Sequence, residues 1–202
     1  MKDQPRQPVR IVISGGPRAG KTTIARRVAD DFGDRVAVLP EAATMLYSGG
    51  FPRSAEKRGQ RAVQRAIFSV QRQLEEASHA IWPDRIHLCD RSTLDGASYW
   101  PGGISEFLED AGITLEEEYA RYSRVILVQS SAWLSDGYST TDTLRTESPQ
   151  RARELDQKLD LIYQGHPDLV RIPAEADFSI KTEMVLECLR EVLDREKLQV
   201  GF

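Results

Sequence analysis

Val9-Arg10-Ile11-Val12-Ile13-Ser14-Gly15-Gly16-Pro17-Arg18-Ala19-Gly20-Lys21-Thr22-Thr23 is the stretch that decides how the chain is read. Val9 to Ile13 is an apolar run of strand length. Lys21 to Phe32 places Ile24, Val28 and Phe32 at successive i+4 steps, one face of a helix. Between them, Gly15 to Thr22 fits Gly-x4-Gly-Lys-[Ser/Thr] in the strand, turn and helix setting that this pattern requires. Glycine permits a tight backbone path, so successive N–H groups converge with the positive end of the helix. Such a cradle takes phosphate. Gly15, Gly16, Pro17, Arg18, Ala19 and Gly20 form the loop, Lys21 reaches the β- and γ-phosphates, and the Thr22 hydroxyl ligates Mg²⁺. Thr23 is counted with the cradle, its side chain read as packing beside it.

Outward from this segment, apolar runs bounded by turn residues recur at Val36 to Leu39, Ile86 to Cys89, Val125 to Val128 and Leu169 to Ile172. A long helix is predicted from Glu56 to Trp82, with Val63, Ile67, Val70, Leu74, Ala77 and Ile81 as its core stripe and Pro83 ending it. A last helix should turn Ile180, Met184, Val185, Leu189, Val192 and Leu193 inward. Strands apolar on both faces, each followed by a helix, imply an α/β fold in three layers around a parallel sheet. Residues 1–8 read as a tail and 9–202 as one domain. The irregular stretch of about 130–150 is a candidate lid and 48–54 a candidate substrate loop.

The composition is ordinary globular usage, 40% hydrophobic and 29% charged. A net charge of −4 gives no general attraction to nucleic acid or anionic lipid. Cys89 and Cys188 are too few for a disulfide framework, and the opening residues lack a signal-peptide apolar stretch, so a cytoplasmic location is expected. No apolar run approaches the roughly 20 residues of a membrane span. His79, His87 and His166 lack ligand spacing, so no transition-metal site is expected.

Asp90, at the end of the third strand, is placed to hold the magnesium ion or its water beneath the phosphates. A hydrolase with its base beside this acid would show Asp-Glu; here the next residue is Arg91, which cannot take a proton but stabilises phosphoryl charge. Glu41, after the second strand, is a candidate general base, with helix N-cap as its alternative role. Arg145, in the lid, is the first choice to close over the phosphates, ahead of Arg151 and Arg153. Tyr99 and Trp100 suit either ring stacking or the core. The base site is expected near 173–181, with Phe178 and Lys181 as contacts. The chain contains no asparagine, which excludes an Asn-Lys-x-Asp guanine motif.

Read in order, the loop, Pro40-Glu41-Ala42-Ala43, the block Asp90-Arg91-Ser92-Thr93-Leu94-Asp95-Gly96-Ala97-Ser98-Tyr99-Trp100-Pro101, Arg121-Tyr122-Ser123-Arg124-Val125, Arg145-Thr146-Glu147, Leu155-Asp156 and His166-Pro167 carry a resemblance. They resemble the AAA-domain P-loop NTPase family that groups the ribosylnicotinamide-kinase half of NadR with TRP translocation-defect proteins. That resemblance implies a kinase-like P-loop fold with strands ordered 2-3-1-4-5, and ATP or GTP bound with Mg²⁺. The expected function is a kinase moving the γ-phosphoryl group to a small nucleoside-like or other hydroxyl-bearing molecule. Two alternatives stand beside it: a nucleotide-dependent switch that recruits a protein partner, and a simple ATPase.

Overall fold

The computed structural model describes residues 7–134 and 147–200. Five strands form one wholly parallel sheet: β1 (Arg10–Ser14), β2 (Val36–Leu39), β3 (Ile86–Asp90), β4 (Arg124–Val128) and β5 (Leu169–Ile172), in the order β2-β3-β1-β4-β5. The intervening helices are α1 (Lys21–Phe32), α2 (Ala42–Ser48), α3 (Lys57–Ile81), α4 (Gly103–Ala111), α5 (Leu115–Tyr119), α6 (Pro149–Tyr163) and α7 (Phe178–Val200). Every strand of a parallel sheet needs a crossover, and helices supply them.

The alternation of side chains sorts the core into two layers. Ile11, Ile13, Leu88, Ile126 and Val128 face one way, onto Ile24, Val28 and Phe32 of α1 and Val185, Leu189 and Val192 of α7. Val12, Cys89, Val125 and Leu127 face the other way, onto Leu159, Ile162 and Tyr163 of α6 and onto Leu94, Trp100 and Phe107. Trp100 is therefore core, packed edge-on against Phe107 at 5.4 Å. Both cysteines are buried free thiols. No helix among the described residues is long and apolar enough to cross a membrane.

Two stripes differ from the sequence expectation. On α3, Ala77 and Ile81 are exposed, and the buried positions are Val63, Gln64, Gln71, Glu75 and Ser78. Phe68 and Leu74 pack on the apolar layer, but the helix also turns polar residues inward because it meets a buried ion cluster. Glu75, fully buried, accepts from Arg121 (2.5 Å) and the Tyr122 hydroxyl (3.0 Å) and lies 3.8 Å from Arg10. On α7, Ile180 and Met184 are exposed, whereas Val185, Leu189, Val192 and Leu193 are buried. The buried face of α7 runs through Lys181, Val185, Leu189 and Val192, so Ile180 and Met184, each one position before a buried residue, turn toward solvent.

Candidate functional site

The loop after β1 stands at the carboxyl edge of the sheet, where open α/β sheets place ligands. Its path depends on glycine at two positions. Gly15 has φ 145°, and a Cβ there would fall 2.0 Å from the Val128 carbonyl oxygen; Gly20 has φ 89°, and a Cβ there would fall 2.3 Å from the Phe178 ring. Gly20 is also the N-cap of α1 and offers no side-chain cap to the first-turn N–H groups, an arrangement that suits an anion. The Lys21 side chain is fully buried, and its Nζ donates to the carbonyls of Gly15 (2.7 Å) and Gly16 (3.0 Å).

Asp156 of α6 braces the loop from behind. Its Oδ1 accepts from Gly16 N (2.6 Å), and its Oδ2 accepts from Ser130 N (2.8 Å) and Trp133 Nε1 (2.9 Å). The Ser130 hydroxyl donates to the Pro17 carbonyl at 2.5 Å.

Thr22 Oγ1 donates to Asp90 Oδ2 at 2.9 Å. Asp90 Oδ1 is buried with no hydrogen-bond partner among the described residues. Burial raises the Asp90 pKa above its ordinary value, and Glu41 adds to this against the opposing charge of Lys21. An orphaned carboxylate oxygen beside a hydroxyl suits a hard divalent cation that completes its shell with phosphate and water oxygens. The described residues contain no cluster of three or more His, Cys, Asp or Glu side chains able to hold a metal without such help.

Glu41 and Arg91 form a buried ion pair, Nε to Oε1 at 2.5 Å. Glu41 occupies the N-cap position of α2, but its side chain does not cap the backbone; its Oε2 accepts from Thr44 Oγ1 at 2.6 Å. Burial would raise its pKa, but the charges of Arg91 and Lys21 and the Thr44 bond outweigh burial and bring it down to about 2. Arg91 has φ 79°, a left-handed backbone unusual outside glycine, and its second anchor is Asp95, NH1 to Oδ2 at 3.0 Å. Burial disfavours its charge, while Tyr99 and the carboxylates of Glu41, Asp95 and Asp90 hold it charged.

Thr22, Asp90, Glu41 and Arg91 all border one cavity of about 790 Å³. The candidate substrate loop 48–54 lends Ser48 and Arg53, the latter stacked on the Tyr47 ring at 3.8 Å, and residues that the sequence reading passed over complete the cavity: Tyr47, and Gln64 and Gln71 from α3. The signal was present in the seven-residue spacing of Gln64 and Gln71, which puts two amides on one helix face. Thr23 is exposed and lines this cavity instead of packing, because α1 turns that position away from the sheet. Tyr99 also borders the cavity.

The expected base contacts part company. Phe178 lies over Gly20 and is partly exposed at the loop mouth. Lys181 is buried, and its Nζ donates to the Gln129 carbonyl at 2.6 Å, so the ammonium ties the end of β4 to α7 instead of facing a base. Arg145 lies outside the described residues. Arg151 pairs with Glu154 (3.1 Å), and Arg153 donates to the Ala132 carbonyl (2.7 Å).

A five-stranded 2-3-1-4-5 parallel sheet, helices on both faces and a phosphate-type loop after β1 define a three-layer P-loop protein of the kinase-like architecture. The chain belongs to the AAA domain family, whose model matches residues 10–179. Among solved structures it is similar to deoxyadenosine kinase from M. mycoides with bound dATP, at TM-score 0.57 and 14% identity, covering 90% of this chain and 100% of that one. The same enzyme with the products dCMP and a flexible dCDP bound gives TM-score 0.56 and 15% identity, over 91% of this chain and 100% of that one. No curated protein matches the sequence.

Proposed function

We infer that residues 9–202 form one domain acting as a Mg²⁺-dependent kinase, which transfers the γ-phosphoryl group of ATP or GTP to a small hydroxyl-bearing acceptor. The observation that carries this reading is the continuity of the 790 Å³ cavity from Thr22 and Asp90 to the Glu41–Arg91 pair. It leaves room for an acceptor beyond the phosphate loop. The residue next to the metal-side acid is an arginine, not a base that would activate water.

In this reading the loop amides and Lys21 hold the triphosphate. Thr22 and Asp90 hold the cation, which neutralises charge on the phosphate oxygens when bound. The acceptor hydroxyl attacks the γ-phosphorus: a new O–P bond forms, the β–γ bridging bond breaks with its electrons leaving on the nucleoside diphosphate, and the hydroxyl proton passes to Glu41. With a pKa of about 2, Glu41 is a weak base while Arg91 and Lys21 face it. The negative charge of phosphate beside Arg91 and Lys21 offsets part of theirs and returns basicity to the carboxylate, with the Arg91 Nε bond to Glu41 kept. Phe178, at the mouth of the loop over Gly20, would lie against the base, Arg145 would close over the phosphates, and Lys181 would hold the β4 end of that site. Two buried free thiols are in keeping with a cytoplasmic setting.

The order of motifs is similar to the ribosylnicotinamide-kinase half of NadR, and the solved deoxyadenosine kinase of similar fold holds deoxynucleotides. Nicotinamide riboside and the nucleosides are therefore the first acceptors to test. Incubation with γ-labelled ATP, Mg²⁺ and that panel should give a labelled product, lost in Lys21→Ala and strongly reduced in Glu41→Gln. Release of inorganic phosphate alone, with every acceptor, would overturn the reading.

A further inference from the structure

Asp95 sits in the 3-10 turn Thr93–Tyr99, four residues beyond Arg91, and is buried. Its Oδ2 accepts from Ser14 Oγ (2.8 Å) and Arg91 NH1 (3.0 Å); its Oδ1 accepts from the Tyr163 hydroxyl (2.6 Å) and from Ser92 N and Oγ (both 3.3 Å). Ser14 ends β1 and Tyr163 ends α6, so this one carboxylate joins the strand before the phosphate loop, the turn after β3 and the helix bracing the loop. A carboxylate has about four lone-pair sites, and protein donors fill them here. Although Asp95 borders the cavity, it has no capacity left for a ligand. Tyr163, fully buried, has a phenol pushed well above its ordinary pKa by burial and by the charge of Asp95, so it remains a donor.

A guanidinium is a planar fork, and its direction is fixed only when two of its nitrogens are anchored. Glu41 anchors Nε of Arg91 and Asp95 anchors NH1. We propose that Asp95, oriented by the Tyr163 hydroxyl, is a positioning residue that aims Arg91 at the transferring phosphoryl group. The inference rests on the kinase reading for what Arg91 faces, but not for how Arg91 is held. It makes α6 a single bar that sets the phosphate loop through Asp156 and the Arg91 fork through Tyr163.

Tyr163→Phe removes one hydroxyl and keeps the ring in the core. In a double-mutant cycle with Arg91→Lys, read as MgATP turnover, Tyr163→Phe should lower kcat about tenfold in the native background, leave the KM for ATP within about twofold, and cost nothing more in Arg91→Lys. A purely structural Tyr163 would cost the same in both backgrounds, and that result overturns the proposal. A second measurement does not need turnover. The Arg91 Nη–H resonances, assigned by their loss in Arg91→Lys, should exchange with solvent at least about tenfold faster in both Tyr163→Phe and Asp95→Asn. An unchanged resonance overturns the proposal. Absence of turnover in the native protein with every acceptor would instead sink the kinase reading and leave the resonance to decide this one.

Discussion

Thr22 and Asp90 meet across the carboxyl edge of the sheet, Oγ1 to Oδ2 at 2.9 Å, and this bond leaves the second Asp90 oxygen buried without a partner among the described residues. A buried acceptor left unpaired costs free energy.

In the proposed cation site, Asp90 should separate stability from metal use. Its carboxylate has a raised pKa, so at neutral pH the folded state carries a charge that the unfolded state holds more easily. Asp90→Asn should raise the thermal midpoint of the ligand-free protein and remove the benefit of Mg²⁺ to ATP binding. Thr22→Ala should weaken ATP binding about tenfold in Mg²⁺ and little in EDTA, as read by calorimetry. Equal losses in both buffers would refute the cation assignment.

Glu41 predicts an acid limb. Its pKa falls from 4.5 to about 2 on folding, so the unfolded state binds more protons between those values. Its stabilisation is complete above pH 4.5 and drains away as pH falls toward 2, about 3 kcal/mol in all. Denaturant titrations at pH 5, 4 and 3 should show a steeper loss in the native protein than in Glu41→Gln.

His87 adds a second window at higher pH. It is fully buried on β3, with Nδ1 bonded to Ser78 Oγ at 2.9 Å and its ring 5.7 Å from that of His79. Burial first, then His79 and Arg10, lowers its pKa from 6.5 to about 4. Unfolded chains take up the proton first, so stability is full above pH 6.5 and falls by about 3 kcal/mol on the way to pH 4. His87→Gln should flatten the slope between pH 6.5 and 5, whatever its effect at pH 7.

Gly20 tests the loop itself. Alanine there meets both a left-handed backbone, worth about 1–2 kcal/mol, and the Phe178 ring at 2.3 Å from the new Cβ. Gly20→Ala should abolish the thermal shift given by ATP. Adding Phe178→Ala removes the clash but not the strain, so stability should return in part while nucleotide binding stays weak. Full recovery of both would show that φ does not matter at this position.

The strand positions were readable because a sheet covered by helices favours apolar runs, and β2 and β5 fall where the runs do, although Arg171 interrupts β5 at the sheet edge. At β1, β3 and β4 the ladder includes one polar residue beyond the run, Ser14, Asp90 and Arg124, since backbone pairing there ignores side-chain polarity. The glycine-rich loop was readable because its chemistry is local: spacing along one chain fixes which amides converge. The α3 stripe misled because its face is set by Glu75 meeting Arg121 and Tyr122, partners 46 and 47 residues away.

By itself, then, the sequence determined a parallel α/β sheet with a phosphate-type loop after its first strand, since periodicity and glycine placement act over a few residues. Only the tertiary structure decided that Arg91 is shared between Glu41 and Asp95, that Tyr163 reaches Asp95 from 68 positions away, and that Gln64 and Gln71 wall the cavity. Those contacts exist because crossover helices bring distant side chains to one edge of the sheet, and no local pattern encodes which of them will meet.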